Sequence, residues 1–346
     1  MANKVTEWQI VNFSYSATKN LHDYGIDSWP NAVFYLGLVD WAKTDNNQMY
    51  LRWLEDIGKK TSWILPQNFS NSPAYQLYHA DEFCIGQVYV NVYNIYKDTL
   101  MLHSAKKRLD WVMNNPPDPN MTIKNKQSWT WCDALFMAPP LYAQIALETK
   151  DTSYLDFMDK EFKKTVDYLF DKEEQLFFRD DSYFDKRELN GEKIFWGRGN
   201  GWVAAGLANL LKILPKESVY LSYYENLFQT LMERLVGLQD SNGFWHASLL
   251  DPSSYPAPEA SATALISYAV AYGLNNGLLQ GRKYEKSLNN GWYALNSIVD
   301  NQGKLGWVQP ISADPKKVTQ DMTAPYGVGA FLLLATEIYK RADLKN

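Results

Sequence analysis

The sequence predicts an all-α protein, an (α/α)6 barrel of six helical hairpins with short β turns at one end, and three observations lead there. Apolar residues recur at spacings of 3 and 4 through most of the 346 residues, the period of helices with a buried face. The helices so marked alternate in character, one charged along a face and the next nearly free of charge. The charge-free set starts near residues 29, 82, 132, 199, 259 and 324, so that successive separations are 53, 50, 67, 60 and 65. A repeat of that size without a fixed motif fits helical hairpins stacked six times.

In chain order, the period marks a short helix over Thr6–Phe13 and then helices over Trp29–Lys43, Gln48–Trp63, Glu82–Lys97, Leu100–Asn114, Asp133–Thr149 and Ser153–Phe170. It continues over Asn200–Leu214, Ser218–Leu238, Ala260–Leu274, Lys283–Val299 and Ala324–Arg341. Lys106, Lys107, Arg108 and Asp110 on one helix, and Asp159 to Lys164 on another, give the half-solvated faces of outer helices. Small residues dominate Asn200 to Ala208, Ala260 to Ala271 and Ala324 to Phe331, as close-packed inner helices require. Between hairpins, Asp171 to Phe178, Asp240 to Trp245 and Asp300 to Trp307 each read as a tight turn leading into a short extended stretch. No Pro/Gly/Ser-rich linker divides the chain, so residues 1–346 read as one domain.

Composition narrows the function. The chain carries 13 Trp, 23 Tyr and 15 Phe, with a formal charge of −5 and scattered Lys and Arg. Nucleic acid is thereby disfavoured as a partner. No apolar stretch approaches the roughly 20 residues of a membrane span. The N-terminus lacks the apolar segment of a signal peptide, so the protein reads as cytoplasmic as written, and periplasmic if a leader has been removed. Cys84 and Cys132 lie inside helical patterns and imply neither a disulfide framework nor a thiolate metal site. His22, His103 and His246 are isolated, and no second histidine stands at ligand spacing from His79, so neither metal nor other cofactor is expected. Nothing in the sequence sets an oligomeric state.

In a six-hairpin ring the segments leading into the inner helices open at one end, and there the polar and aromatic residues gather. Asp133 follows Trp129 and Trp131 and precedes Ala-Leu-Phe-Met-Ala-Pro-Pro140, an apolar setting that raises a carboxyl pKa and suits a proton donor. Helix capping is its alternative role. Asp81, beside His79 and Glu82, opens the preceding inner helix and either caps it or forms a carboxylate pair with Asp133. In Phe195-Trp-Gly-Arg-Gly-Asn-Gly-Trp202 no phosphate-loop pattern is met. Arg198 there is read as reaching a carboxylate or sugar hydroxyls, between Trp196 and Trp202 as flat walls. The other reading is a structural ion pair with core tryptophans. Serine and cysteine nucleophiles lack a matched histidine.

Three stretches, Trp131-Cys-Asp-Ala-Leu-Phe-Met-Ala-Pro-Pro140, Phe195 to Trp202 and Ala262-Thr-Ala-Leu-Ile-Ser-Tyr-Ala269, resemble glycoside hydrolase family 105, the unsaturated rhamnogalacturonyl hydrolases, and the related family 88 glucuronyl hydrolases. The resemblance runs in order along nearly the whole chain and implies an (α/α)6 barrel. It also implies removal of a 4,5-unsaturated uronic acid from the nonreducing end of lyase-generated oligosaccharides, with rhamnogalacturonan as the expected source. On this resemblance Asp133 is the general acid/base that protonates C4 and activates water for C5, and Asp81 is the second acidic residue. Arg198, Trp202, Trp131 and Trp196 hold or wall the uronate, and Trp29 and His79 join them at the mouth. The family's histidine ahead of the Trp-Gly-Arg motif is missing from Phe177 to Tyr183, where Arg179, Asp180 and Tyr183 are the candidates to replace it.

Two rivals remain at this level: an inverting glycosidase acting at the anomeric carbon with Asp81 and Asp133 as base and acid, and a carbohydrate-binding scaffold without turnover. Under every one of these readings Trp29, Trp129, Trp131, Trp196, Trp202, Trp245 and Trp307, 7 of the 13 tryptophans, are expected at one mouth.

Overall fold

The computed structural model describes residues 1–13, 24–67, 69 and 72–345; His22 falls outside them. Helices α1 (Ala2–Val11), α2 (Trp29–Thr44), α3 (Gln48–Lys60), α4 (Ala74–Tyr78), α5 (Cys84–Tyr96), α6 (Leu100–Asn114) and α7 (Ala134–Met137) come first. They are followed by α8 (Pro139–Thr149), α9 (Ser153–Leu169), α10 (Gly197–Ile213), α11 (Leu221–Val236), α12 (Ala260–Asn275), α13 (Arg282–Ser297) and α14 (Pro325–Lys345).

Inner helices pack in the cyclic order α2, α5, α8, α10, α12 and α14, and α14 closes the ring on α2. Each inner helix carries an outer one: α3 on α2, α6 on α5, α9 on α8, α11 on α10, α13 on α12, and the N-terminal α1 on α14. This is the (α/α)6 barrel. The first helix of the chain thus supplies the outer half of the last hairpin. Small residues let the inner helices approach, and the closing seam is the tightest case. A Cβ built on Gly37 of α2 would overlap the carbonyl of Gly329 on α14, and one on Gly329 would overlap the carbonyl of Val33.

The three turn segments share a device. Asp171 Oδ1 accepts from the amides of Glu173 and Glu174, Asp240 Oδ1 from those of Asn242 and Phe244, and Asp300 Oδ1 from those of Gln302, Gly303 and Lys304. The first turn joins strands β1 (Phe170–Asp171) and β2 (Leu176–Phe177), paired antiparallel. All three dock where inner helices begin. The Phe177 amide donates to Asn200 Oδ1, the Glu259 amide to the Trp245 carbonyl, and the Ala260 amide to the Trp307 carbonyl.

Four expectations need correction. The helix expected over Asp133–Thr149 breaks at Ala138, because Pro139 has no amide to continue the ladder and Pro140 follows it. Asp81 lies in a 3₁₀ turn, Ala80–Phe83, ahead of α5 rather than at the start of the helix. Helix α10 starts at Gly197, not Asn200. Its four glycines are poor helix formers, but a Cβ at Gly197 would overlap the His246 carbonyl and one at Gly206 the Leu135 carbonyl, so packing selects them there. Arg108, read as part of a solvated face, is buried, and its guanidinium donates to the carbonyls of Leu77, Pro66 and Gln67.

The seam generates a stability prediction. Gly37→Ala forces α2 and α14 apart where backbone meets backbone, and is expected to cost about 3 kcal/mol or more. Scanning calorimetry should show a fall of several degrees in the melting temperature; an unchanged value would mean that the seam yields without cost.

Candidate active site

Every inner helix begins at the same end of the ring, so unpaired amides and positive dipole ends converge there. Two connected compartments open at this end. The inner one, of about 80 Å³, is lined by Trp29, Asp81, Trp131, Asp133, Met137, Arg179, Trp196, Arg198, Trp202, Ile311 and Ser312. The outer one, of about 430 Å³, is lined by Gln67, Tyr75, Gln76, His79, Asp81, Glu82, Ile123, Asn125, Lys126, Trp131 and Arg179. Asp81, Trp131 and Arg179 stand at the junction. All eight candidates from the sequence therefore border these compartments, seven of them the inner one and His79 the outer.

Asp133 occupies the N-cap position of α7 but accepts no capping hydrogen bond through its side chain. The capping role is thereby set aside. The residue is 8 % exposed, and burial pushes its carboxyl up to about 6, with Asp81 adding to the rise and Arg179 and Arg198 opposing it. Arg179 Nε lies 3.6 Å from Asp133 Oδ2, while Nη1 donates to Asp180 Oδ2 at 2.6 Å. Asp180 in turn accepts from the Ser182 amide, and the Cys132 amide donates to the Arg179 carbonyl, so this loop is tied to the turn bearing Asp133.

Asp81 is also raised by desolvation, against the favourable influence of His79, Arg179 and the Trp131 indole N–H. His79 Nδ1 sits 4.0 Å from Asp81 Oδ2, and its ring lies 4.8 Å from that of Trp131. Glu82 next door is pushed up to about 7, first by burial and then by Asp81 and Asp27. Buried polar atoms without a hydrogen-bond partner cluster here: Asp81 Oδ1, His79 Nδ1, Arg179 Nε and Arg198 Nε. Such atoms are costly in a folded interior and mark a place where a polar ligand completes the bonding.

Arg198 proves to be a different kind of residue from the one expected. At 1 % exposure its guanidinium lies over the Trp196 ring at 4.5 Å and the Tyr326 ring at 5.0 Å. It donates to the carbonyls of Gln309 and Pro310. Among the described residues no carboxylate pairs with it, so the structural ion pair weighed from sequence is absent, and its two terminal nitrogens hold a strap of backbone. Glu259 braces the same strap by accepting from the Gln309 amide while it caps α12.

The tryptophans divide. Trp29, Trp131, Trp196 and Trp202 line the inner compartment, with Trp29 edge-on to Trp202 at 6.1 Å. Trp129 packs instead on Tyr142, Trp245 is buried with its indole donating to the Leu235 carbonyl, and Trp307 packs against the core. The larger expectation of seven at the mouth fails because a turn that docks on a helix start turns its aromatic inward. His246, read as isolated, lies 3.3 Å from Asp240 Oδ2.

Sequence reasoning passed over the strap residues Ile311 and Ser312 and the outer wall of Gln67, Tyr75, Gln76, Ile123, Asn125 and Lys126. Arg179 was within view through the missing family histidine. At the opposite end of the ring a cavity of about 190 Å³ is lined by Asp40, Lys43, Lys212 and neutral polar residues, with Asp40 paired to Lys212 at 2.6 Å. It holds no pair of carboxylates.

The chain is similar to known proteins along nearly its whole length. An unsaturated 3S-rhamnoglycuronyl hydrolase of Formosa agariphila is 34% identical, the match covering 97% of this chain and 89% of the relative. A protein of the same name from an Alteromonas species is 32% identical over 98% of this chain and 84% of its own. A solved family 88 glycosyl hydrolase from Bacteroides vulgatus superposes with a TM-score of 0.86 at 29% identity, covering 98% of this chain and 99% of that one. A polysaccharide lyase of known structure superposes with a TM-score of 0.88 at 30% identity, covering 99% and 96%. The family model described as Glycosyl Hydrolase Family 88 matches residues 1–342. With a six-hairpin ring, a buried carboxyl at its mouth and a match along nearly its whole length, this chain belongs to Glycosyl Hydrolase Family 88.

Proposed function

We propose that the protein removes a 4,5-unsaturated uronic acid from the nonreducing end of lyase-generated oligosaccharides by hydrating the C4=C5 bond, with Asp133 as acid and base. The observation that carries the reading is the Asp133 carboxyl, buried, uncapped and raised to about 6 at an aromatic-walled pocket. A weakly acidic, positioned carboxyl is what protonation of an enol ether carbon requires near neutrality.

The steps balance without a cofactor. Asp133 gives its proton to C4, the π electrons form the new C–H bond, and the cation at C5 is shared with the ring oxygen. Water adds to C5 and returns a proton to the Asp133 carboxylate. The resulting hemiketal opens by breaking the bond between C5 and the ring oxygen. The hemiacetal left at C1 then expels the rest of the oligosaccharide as an alcohol. Asp81, with an unpartnered oxygen at the junction of the compartments, is assigned to orient the water. Curated relatives named for 3S-rhamnoglycuronyl substrates favour a 3S-rhamnosyl neighbour of the uronyl unit over the plain rhamnose of the rhamnogalacturonan first expected.

The likeness to a polysaccharide lyase supports a second reading, elimination, which forms the same double bond. Elimination needs a base for the C5 proton. Asp133 keeps its proton up to about pH 6 and is no base below that, and Tyr183, which faces it, is pushed up to about 12 by burial first and then by nearby carboxylates. Both properties favour hydration.

Ultraviolet absorbance of the conjugated double bond separates the two: hydration removes it and elimination creates it. Absorbance that grows on saturated polymer, with none lost on unsaturated oligosaccharide, would overturn the proposal. Asp133→Asn is expected to lower turnover by about 10²- to 10⁴-fold while binding is retained. Wild-type kcat/KM should fall as pH rises through about 6, as the acid is lost.

Stability provides a second readout. The folded Asp133 carboxyl binds its proton more tightly than the unfolded chain does. Its contribution is therefore fully present below the ordinary value of 3.8 and is lost as pH rises through about 6. The charged form carries a penalty of order 2–3 kcal/mol above that range. Asp133→Asn should melt about 2–4 °C above wild type at neutral pH and show no gain in acid. Equal melting temperatures across the range would mean that the carboxyl is not raised.

A further inference from the structure

Hydration at C4 places a geometric demand on the pocket. The substrate's carboxylate is attached to C5, so its carbon lies two bonds from C4, about 2.5 Å away. An acid that reaches C4 must therefore have the carboxylate's receptor beside it. Two guanidiniums border the inner compartment, Arg179 and Arg198. Both terminal nitrogens of Arg198 are occupied by the carbonyls of Gln309 and Pro310, inside a stack of Trp196 and Tyr326. Its Nε is also without an acceptor, but the residue is 1 % exposed and pinned by the strap, whereas the Arg179 side chain is 21 % exposed and stands beside Asp133. Arg179 has one firm partner, Asp180, and its Nε is without an acceptor, 3.6 Å from Asp133 Oδ2 and beyond hydrogen-bond length.

Resting on the hydrolase reading above, we infer that Arg179 is the receptor for the carboxylate of the unsaturated uronyl ring, and that it is shared between Asp133 in the free enzyme and the substrate in the complex. Asp180 holds the guanidinium in place throughout. When the carboxylate arrives, Asp133 loses part of its cationic support and gains an anionic neighbour, so it keeps its proton more firmly while the double bond lies beside it. Once C4 has taken that proton, the Asp133 carboxylate is again next to Arg179. The other groups facing Asp133 are Asp81 from the 3₁₀ turn, Arg198 from α10, the neighbouring Cys132 thiol, and Asp180 and Tyr183 from the Arg179 loop. None of these changes partner when a carboxylate binds at Arg179.

The test compares an unsaturated uronyl disaccharide with its C6 methyl ester, using wild type, Arg179→Gln and Arg179→Lys. Wild type should prefer the acid by about ten- to a hundredfold in kcat/KM, the worth of a charge-assisted pair. Arg179→Gln should abolish that preference through a rise in KM for the acid that the ester does not show. Arg179→Lys, which keeps the charge against Asp180, should restore part of the preference and serves as the test should the glutamine variant not fold. The alkaline limb of kcat should lie at higher pH than that of kcat/KM in wild type, and the two should coincide in Arg179→Gln. Equal losses on acid and ester would assign Arg179 a structural role and overturn the inference, as would a preference for the acid that survives the substitution. Failure of wild type to hydrate either compound would instead overturn the hydrolase reading on which it rests.

Discussion

A guanidinium removed from water must find acceptors, and two arginines that meet this demand through backbone carbonyls build both walls of the site. Arg198 on α10 holds Gln309 and Pro310, and Arg108 on α6 holds Pro66, Gln67 and Leu77. Carbonyl acceptors leave no second charge to desolvate, so each arginine fixes a loop without a buried ion pair and its added desolvation. The strap at 309–310 leads into Ile311 and Ser312 of the inner compartment, and Gln67 lines the outer one. Removing either guanidinium would release backbone that lies beside the site.

Asp133 shows the opposite choice. Its position at the start of α7 offers amides for capping, yet its carboxylate accepts none of them through its side chain. The break at Ala138 and the pair Pro139–Pro140 give α7 a single turn, which turns the carboxyl toward Arg179 and Asp81 instead of along a long helix axis. The cost is an acid that the fold would rather keep neutral. On the proposed mechanism stability is conceded at the carboxyl that gives its proton, while nearby Asp180 is bonded by the Arg179 guanidinium and the Ser182 amide, and Glu259 by amides and the Ser261 hydroxyl.

The ring was legible in the sequence because alternation between charged and uncharged helices is a local signal that survives folding. Asp133 and Asp81 were legible for a related reason: each stands where polar residues interrupt an apolar run just ahead of an inner helix. Arg198 was visible as a residue of the site but not in its role, since its acceptors lie 111 and 112 residues away and backbone carbonyls leave no mark in a sequence. Arg108 misled for the same reason, a charged residue in a charged stretch that happens to face inward. Trp245 and Trp307 misled because a turn motif gives the place of an aromatic but not the side to which it points. The outer wall, from Gln67 to Lys126, comes from connecting segments whose positions are set by packing alone.

The unequal size of the compartments bears on how a chain would be attacked. The inner space, about 80 Å³, is lined by Trp202 and by Ile311 and Ser312, next to the strap that Arg198 and Glu259 hold from two sides. The outer space, about 430 Å³ and open, has room for sugars beyond the first. A terminal ring can enter the inner space only with the rest of the oligosaccharide trailing outward past His79 and Trp131. Tyr75 and Lys126, in cation–π contact at 5.2 Å, lie along that path with Asn125 and Gln76. On the proposed reading, action at the end of a chain follows from the small size of the inner space, whose strap holds the terminal nitrogens of Arg198 while the Arg179 guanidinium stays beside the Asp133 carboxyl.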